Sequence, residues 1–248
     1  MYTFLRRVGC WIIWVVLPLT LSAQTNTFDF TNLMVSIPDN DPNGIQVSEA
    51  ISGVSGSIAS ISVSLDLLGT PNAFNGDYYI ELINSSGQGL AVLLNRTGVE
   101  SGNAYGYGDN GFDVTFSDSA ADDIHFYQND GYTLNADGQL TGTWQPDGEN
   151  INPLGDPSTF DDALSDQTAT LSSFDGESPD QIWTLYLADL SGGGMGELAG
   201  WSLTIVTAPE PPVVGLLGGG LLLLGFMARR RKVFRLQGEQ RTGAPIRS

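Results

Sequence analysis

Four aspartates lie close together in one short segment of the chain, DVTFSDSAADD. They are Asp113, Asp118, Asp122 and Asp123. Carboxylate oxygens are the ligands that Ca²⁺ prefers in proteins, and several in one segment can share an ion. The segment therefore predicts a calcium site with these four aspartates as ligands, and Ca²⁺ as the one expected cofactor. The alternative is that the aspartates serve turns and solubility.

A second acidic segment, DNDPNG at residues 39–44, matches the first, third, fifth and sixth positions of an EF-hand calcium loop. The twelfth position of such a loop requires a bidentate Glu, and here it is Ala50. Pro38 and Pro42 also exclude the flanking helices that an EF-hand needs. We therefore predict that this segment is a turn leading into a strand.

The sequence offers little for nucleophilic catalysis. His125 is its single histidine and Cys10 its single cysteine, and DDIHFYQ around the histidine carries no known catalytic motif. We interpret His125 as a satisfied surface residue. The paired carboxylates, Asp122–Asp123 and Asp161–Asp162, are adjacent in sequence, which does not indicate the separated pair that glycoside hydrolysis uses. We therefore predict that the protein is not an enzyme and has no catalytic residue.

Strands that alternate apolar and polar residues dominate the middle of the chain, and no segment shows sustained helical periodicity. Four strands have a clear apolar face. Their inward residues are predicted to be Ile61, Val63, Leu65 and Leu67; Tyr78, Ile80 and Leu82; Trp183, Leu185 and Leu187; and Trp201, Leu203 and Ile205. Turns rich in Gly, Asn and Asp separate them. The pattern predicts an all-β fold, a single β-sandwich or jelly roll at residues 37–207.

Charge is distributed very unevenly along the sequence. Of the 28 acidic residues, all but Glu210 and Glu239 lie between residues 24 and 208, where Arg96 is the sole Lys or Arg. The formal charge of that segment is −25, one Arg against 26 acids. Such a surface repels nucleic acid and anionic lipid, so nucleic acid is excluded as a partner.

The N-terminus has the features of a secretory signal peptide. Arg6 and Arg7 precede the apolar run WIIWVVLPLTL, which ends in small residues before Gln24. We predict a signal peptide at residues 1–23, followed by an N-terminal linker at residues 24–36. The alternative is an uncleaved membrane anchor.

The C-terminus carries three elements in order: Pro209, Glu210 and Pro211; a short apolar run; and the basic cluster that begins Arg229, Arg230 and Arg231. This order resembles the PEP-CTERM sorting signal of Gram-negative bacteria. The resemblance implies an apolar transmembrane helix within residues 208–232, a basic cytoplasmic tail at 233–248, and an exosortase as the processing partner. The expected location is an exported precursor anchored in the inner membrane, then the cell surface or the extracellular space. An ordinary C-terminal anchor is the alternative.

Five stretches of the middle segment occur in an order that resembles the P domain (P/Homo B) of proprotein convertases. They begin IPDND at residues 37–67, GDYYIEL at 76–98, LTGTWQP at 140–148, LSSFDGE at 171–177 and IWTLYLAD at 182–205. The resemblance implies a galactose-binding-like β-sandwich. It also implies a neighbouring subtilisin-like protease domain, which residues 1–36 are too short to contain.

Two functions follow as expectations. The first is a non-catalytic exported surface or extracellular-matrix protein that binds polysaccharide or protein in an exopolysaccharide-producing bacterium. The second is an accessory P domain that assists or targets a separate subtilisin-like serine protease.

Overall fold

The computed structural model describes residues 22–161 and 167–208. Ten strands form in this part of the chain. They are β1 (Gln24–Ile37), β2 (Asp41–Ala50), β3 (Ser57–Gly69), β4 (Tyr78–Asn84), β5 (Leu90–Asn95), β6 (Gly111–Phe116), β7 (Thr133–Leu134), β8 (Leu140–Trp144), β9 (Ile182–Asp189) and β10 (Gly196–Ala208). The described residues contain no helix that is long and apolar enough to span a membrane. The signal peptide up to residue 21 and the sorting motif, Pro209 to Arg231, lie outside the described residues.

The strands form two sheets that make a β-sandwich, as the sequence predicts. The larger sheet has the order β1-β10-β3-β6-β8-β7, and the smaller has the order β2-β9-β4-β5. All pairings are antiparallel except that of β6 with β8, which is parallel. The two inner faces bury one shared apolar core.

The alternation in the sequence correctly identifies the inward faces of four strands. On β3, β4, β9 and β10 all thirteen side chains predicted to point inward are at most 6% exposed. Their polar neighbours lie on the outer faces because successive side chains of a strand point to opposite sides. Phe174, from the long connection between β8 and β9, closes one end of the core against Trp183, with ring centroids 5.0 Å apart.

Residues 24–36 are not the linker that the sequence led us to expect. They form nearly all of β1, which pairs with β10 at the edge of the larger sheet. Phe30 packs against the ring of Trp201 at a centroid distance of 4.7 Å, so the strand contributes apolar area to the fold. The backbone leaves regular strand geometry at Asn32 and Met34, both with positive φ, where the register with β10 shifts. Because of this irregularity, the sequence of β1 lacks the regular alternation by which a strand is recognised.

The DNDPNG segment is a turn leading into a strand, as predicted: residues 39–40 form the turn after β1, and residues 41–44 begin β2. The Asp41 carboxylate accepts hydrogen bonds from the backbone N–H and the side-chain amide of Asn43, at 2.9 and 2.8 Å. Gly44 has φ +54°, and a Cβ there would clash with the Leu187 carbonyl of β9. The segment therefore shapes the start of β2.

Truncation of Leu185 is expected to test the shared core. Leu185 is fully buried at the centre of β9, in register with Val47 on one side and Leu82 on the other. Leu185→Ala should lower the free energy of unfolding by about 2–5 kcal/mol, because it removes buried contacts and leaves a cavity. Chemical denaturation of the full chain measures the loss.

The matched control is Ser48→Ala on β2, whose hydroxyl bonds that of Thr184 on the exposed face. Its effect should stay within about 0.5 kcal/mol. Equal effects of the two substitutions would contradict the assignment of the inward face.

Candidate functional site

A group of polar side chains, four of them ionisable, is buried at the end of β5, where three long connections meet. These are the β5–β6 connection (residues 96–110), the β6–β7 connection (117–132) and the β8–β9 connection (145–181). We call the group the buried charge cluster; its members are Asn95, Asp123, His125, Asp147 and Glu149. All but Asp123 are completely buried, and Asp123 is partly buried.

His125 is at the centre of the buried charge cluster. Its Nδ1 lies 2.8 Å from Oδ2 of Asp147 and 3.8 Å from Oε2 of Glu149, and its Nε2 lies 3.1 Å from the Val99 carbonyl. Phe160 stacks on the ring at a centroid distance of 5.8 Å and an interplanar angle of 8°. An imidazolium satisfies both polar contacts at once, since Nδ1–H donates to Asp147 and Nε2–H donates to Val99.

Asp147 and Glu149 lie in a short segment that is hydrogen-bonded to β5. Backbone N–H groups of Asp147 and Gly148 donate to the carbonyls of Leu93 and Val92, at 3.2 and 2.9 Å. Only Gly148, which has a φ of +69°, separates the two acids, and one carboxylate oxygen of each lies within 4.8 Å of a ring nitrogen of His125. Asn95 binds this segment, because its N–H donates to the Asp147 carboxylate and its side-chain amide donates to the Glu149 carbonyl, each at 3.0 Å.

The protonation states reflect burial and the surplus of acids. Burial lowers the pKa of His125, but the charge and hydrogen bond of Asp147 and the charge of Glu149 outweigh it and raise the pKa to about 9. Burial, then the charge of Asp147, raises the pKa of Glu149 well above its ordinary value. Burial also raises the pKa of Asp123 to about 7, with Asp147 contributing in the same direction. The cluster therefore holds protons at neutral pH.

This arrangement suits the binding of charge better than the catalysis of a reaction. His125 is 0% exposed and both of its nitrogens are engaged, so it has no free position for a substrate. The prediction that His125 lies on the surface is wrong, although its polar atoms are satisfied as expected. In residues 22–161 and 167–208, His125, Asp147 and Glu149 are the one set of three or more His, Cys, Asp or Glu side chains whose ligand atoms all lie within 4.8 Å of one another.

The four aspartates of the predicted calcium site are not brought together in this way. Asp113 is exposed on β6, and Asp122 is exposed in the loop that follows. Asp118 accepts the backbone N–H groups of Leu171 and Ser172, at 3.1 and 2.7 Å. Only Asp123 reaches the buried charge cluster.

Asp123 contacts the cluster through hydrogen bonds. Its Oδ1 accepts the backbone N–H of His125 at 2.7 Å, and its Oδ2 accepts the side-chain amide of Gln167. The Asp123 carboxylate thus links the backbone of His125 to the side chain of Gln167. Of the other acidic pair, Asp161 accepts hydrogen bonds from Ser101, and Asp162 lies outside the described residues.

Two further buried acids lie in the smaller sheet: Asp77 comes just before β4, and Asp189 is the last residue of β9. Asp77 is 5% and Asp189 is 1% exposed. Burial raises the pKa of Asp77 to about 6, although nearby Arg96 acts in the opposite direction, and burial raises the pKa of Asp189 to about 7. Asp39 lies close enough to raise both values further. Asp39, in the turn at residues 38–40, therefore adds to the cost of ionising Asp77 and Asp189.

Sequence reasoning missed Asp147 and Glu149 as partners of His125. The available signal was weak. It consisted of one acid on each side of Gly148, in a sequence with a single histidine. Their distance from His125 in sequence hides the contact, which depends on how three irregular connections fold together.

Comparisons with known proteins give no family. No family model and no curated protein matches the chain. Among solved structures, the serine protease of Aeromonas sobria in complex with its chaperone has a TM-score of 0.39 at 15% identity, and the same protease alone has 0.37 at 15%. Each match covers 77% of this chain and 28% of the other. At these TM-scores the similarity does not establish a shared fold.

Replacing Asp189 is expected to change how stability depends on pH. A carboxyl whose pKa rises from 3.8 to about 7 on folding binds its proton more tightly in the folded state. Its stabilising effect is complete below about pH 4 and is lost as the pH rises towards 7. Asp189→Asn keeps the acceptor for the Ser191 N–H and removes the buried charge.

The melting temperature of Asp189→Asn should therefore exceed that of the parent by several degrees at pH 8 and by less at pH 5. Each pKa unit corresponds to about 1.4 kcal/mol, and 1 kcal/mol shifts the melting temperature of a chain this size by roughly 2–4 °C. The control is Asp137→Asn, which removes an exposed charge. A difference between Asp189→Asn and the parent that does not change with pH would contradict the argument.

Proposed function

We propose that the chain is a non-catalytic, exported binding module whose ligand site lies on loops at one end of the β-sandwich. The observation that carries the proposal is the complete burial of His125 with both ring nitrogens engaged. The chain's single histidine is thereby committed to structure. Residues 24–208 contain no second histidine and no lysine, the side chains that usually serve serine or cysteine nucleophiles as the base.

The binding site that we propose is a group of four neighbouring loops, which we call the loop end. The loop end comprises residues 38–40, 70–77, 104–110 and 190–195. Several hydrogen bonds join these loops, among them Gly76 N–H to the Tyr107 carbonyl at 2.8 Å, Met195 N–H to the Asn72 carbonyl at 2.9 Å, and Gly193 N–H to the Asp39 carboxylate at 3.2 Å. They form a continuous surface on a rigid scaffold, a common position for binding residues.

Large apolar side chains are exposed on the loop end. Tyr105 is 79%, Met195 is 50% and Phe74 is 39% exposed. The loop that carries Tyr105 is held in shape, because the side-chain amide of Asn103 donates to the carbonyls of Gly98 and Gly106, each at 3.0 Å. A ring carried on a fixed backbone loses less conformational entropy on binding than one carried on a mobile loop.

The chemistry of this surface favours a polysaccharide. An exposed tyrosine stacks on the apolar face of a sugar ring, while carboxylates such as that of Asp39 accept hydrogen bonds from hydroxyl groups. The high negative charge of residues 24–208 favours neutral over anionic polymers. A protein ligand with a basic surface would satisfy the same features.

Export and sorting belong to the same proposal. We propose that the signal peptide directs the chain out of the cytoplasm and that the tail around Glu210 presents it to an exosortase. Both segments lie outside the described residues and are supported by the order of their sequence elements. The module would then act at the cell surface or in the extracellular matrix.

The second candidate function is that of an accessory domain for a separate subtilisin-like protease. The resemblance of five ordered stretches of sequence to P domains supports it, because P domains occur beside such proteases. Binding to a purified subtilisin-like protease, without binding to polysaccharide, would favour this candidate over the first.

Replacing Tyr105 is expected to test the loop end. Neutral and anionic polysaccharides are first screened on an array with the full chain, and the best is then measured by calorimetry. Tyr105→Ala should weaken binding by at least about tenfold, which corresponds to about 1.4 kcal/mol of lost ring contact. Its melting temperature should match that of the parent because the ring is exposed.

The control is Leu154→Ala, which truncates an apolar side chain 57% exposed in the connection between β8 and β9. It should bind as the parent does. Binding that survives Tyr105→Ala, or that is lost equally in the control, would exclude the loop end as the site.

A further inference from the structure

Four buried oxygen atoms of the buried charge cluster have no hydrogen-bond partner. They are Asn95 Oδ1, Asp147 Oδ1, and both carboxylate oxygens of Glu149. A buried acceptor without a donor costs free energy, and the cost is higher for a charged one. The cluster is therefore incomplete as a hydrogen-bonded network.

The charges of the cluster are also unbalanced. One imidazolium at His125 neutralises one of the three carboxylates contributed by Asp123, Asp147 and Glu149. Arg96, the sole Lys or Arg of residues 24–208, donates instead to the carbonyls of Gly76 and Ala104. Two negative charges remain, and either protons or a cation must neutralise them in a buried site.

The geometry fits one divalent ion. One carboxylate oxygen of Asp147 lies within 4.8 Å of one carboxylate oxygen of Glu149, and His125 lies beside both. Calcium–oxygen bonds measure about 2.3–2.6 Å, so two ligands of one ion are at most about 5 Å apart. The Asn95 amide, which donates to the Glu149 carbonyl, belongs to the same cluster.

We propose that the cluster binds Ca²⁺ through the carboxylates of Asp147 and Glu149 and the side-chain oxygen of Asn95. All of these ligands are hard oxygen atoms, which favour calcium over zinc. Magnesium binds best with several water molecules retained, and these buried side chains favour direct coordination. His125 acts as a positioning residue, because its Nδ1–H holds Oδ2 of Asp147 and leaves Oδ1 free.

The ion would fasten the end of β5 to the segment of residues 147–149. Asp113, Asp118 and Asp122 play no part in it, because Asp113 and Asp122 are exposed and Asp118 accepts the backbone N–H groups of Leu171 and Ser172. The site therefore differs from the calcium site that the sequence predicts.

Calorimetric titration with CaCl₂ tests the proposal on the EDTA-treated full chain at low ionic strength, with a thermal melt in parallel. Calcium at 1 mM should bind with a stoichiometry of one and raise the melting temperature by about 5 °C or more, because it binds the folded state. Glu149→Gln should weaken calcium binding at least about tenfold. The matched controls Asp113→Asn and Asp122→Asn should bind calcium as the parent does.

Hydrogen exchange of the unmodified chain locates the ion without relying on any variant. Calcium should increase protection at residues 95–99 and 147–149. Three results would overturn the proposal: no heat of binding together with equal melting in EDTA and calcium, protection confined to residues 113–122, or calcium binding that Asp113→Asn abolishes and Glu149→Gln does not. The first would mean that protons, with Glu149 donating to Asp147, neutralise the cluster.

Discussion

The contact between His125 and Asp147 is the interaction on which the irregular half of the protein depends. Residues 24–208 contain 26 acids, one arginine and one histidine, so cations that can accompany a buried carboxylate are scarce. The histidine is used where three long connections converge. Through Asp147 it holds the segment beside β5, and through Val99 it holds the start of the β5–β6 connection.

That connection leads directly to the loop end. Val99 is followed by Asn103, whose amide fixes the loop that carries Tyr105, and Tyr107 pairs with Thr97 through a backbone hydrogen bond of 3.0 Å. The buried cluster and the exposed loop are therefore two faces of one folded segment. The binding module that we propose would gain affinity from this rigidity, because few degrees of freedom would remain to be lost when a ligand binds.

Sequence patterns predict the sandwich because, in a strand with one buried face, apolar and polar residues alternate with a period of two. Leu65, Leu185 and Leu203 are recognisable from their alternation alone, and all are buried as expected. Strand β1 is not predicted from the sequence, because two positive-φ residues, Asn32 and Met34, interrupt its alternation of apolar and polar residues. Its apolar residues are also diluted by threonine and asparagine.

The site is harder to predict for a different reason. His125 and Asp147 lie 22 positions apart, and neither belongs to a regular strand. Their contact depends on the paths of loops that no periodic pattern encodes. Local clustering of acids, as in Asp113 to Asp123, proved a poor guide to which acids share a site, because adjacent side chains in an irregular loop face different neighbours. The acids that do meet flank a glycine with positive φ, Gly148.

The central claim is that His125 serves as a structural cation. A double-mutant cycle with His125→Gln and Asp147→Asn, measured by chemical denaturation of the full chain in EDTA, tests it most directly. Each single substitution leaves a buried charge without its partner and should cost about 3–5 kcal/mol. The double substitution should cost at least about 2 kcal/mol less than the sum of the two. Costs that add to within about 0.5 kcal/mol would contradict the account.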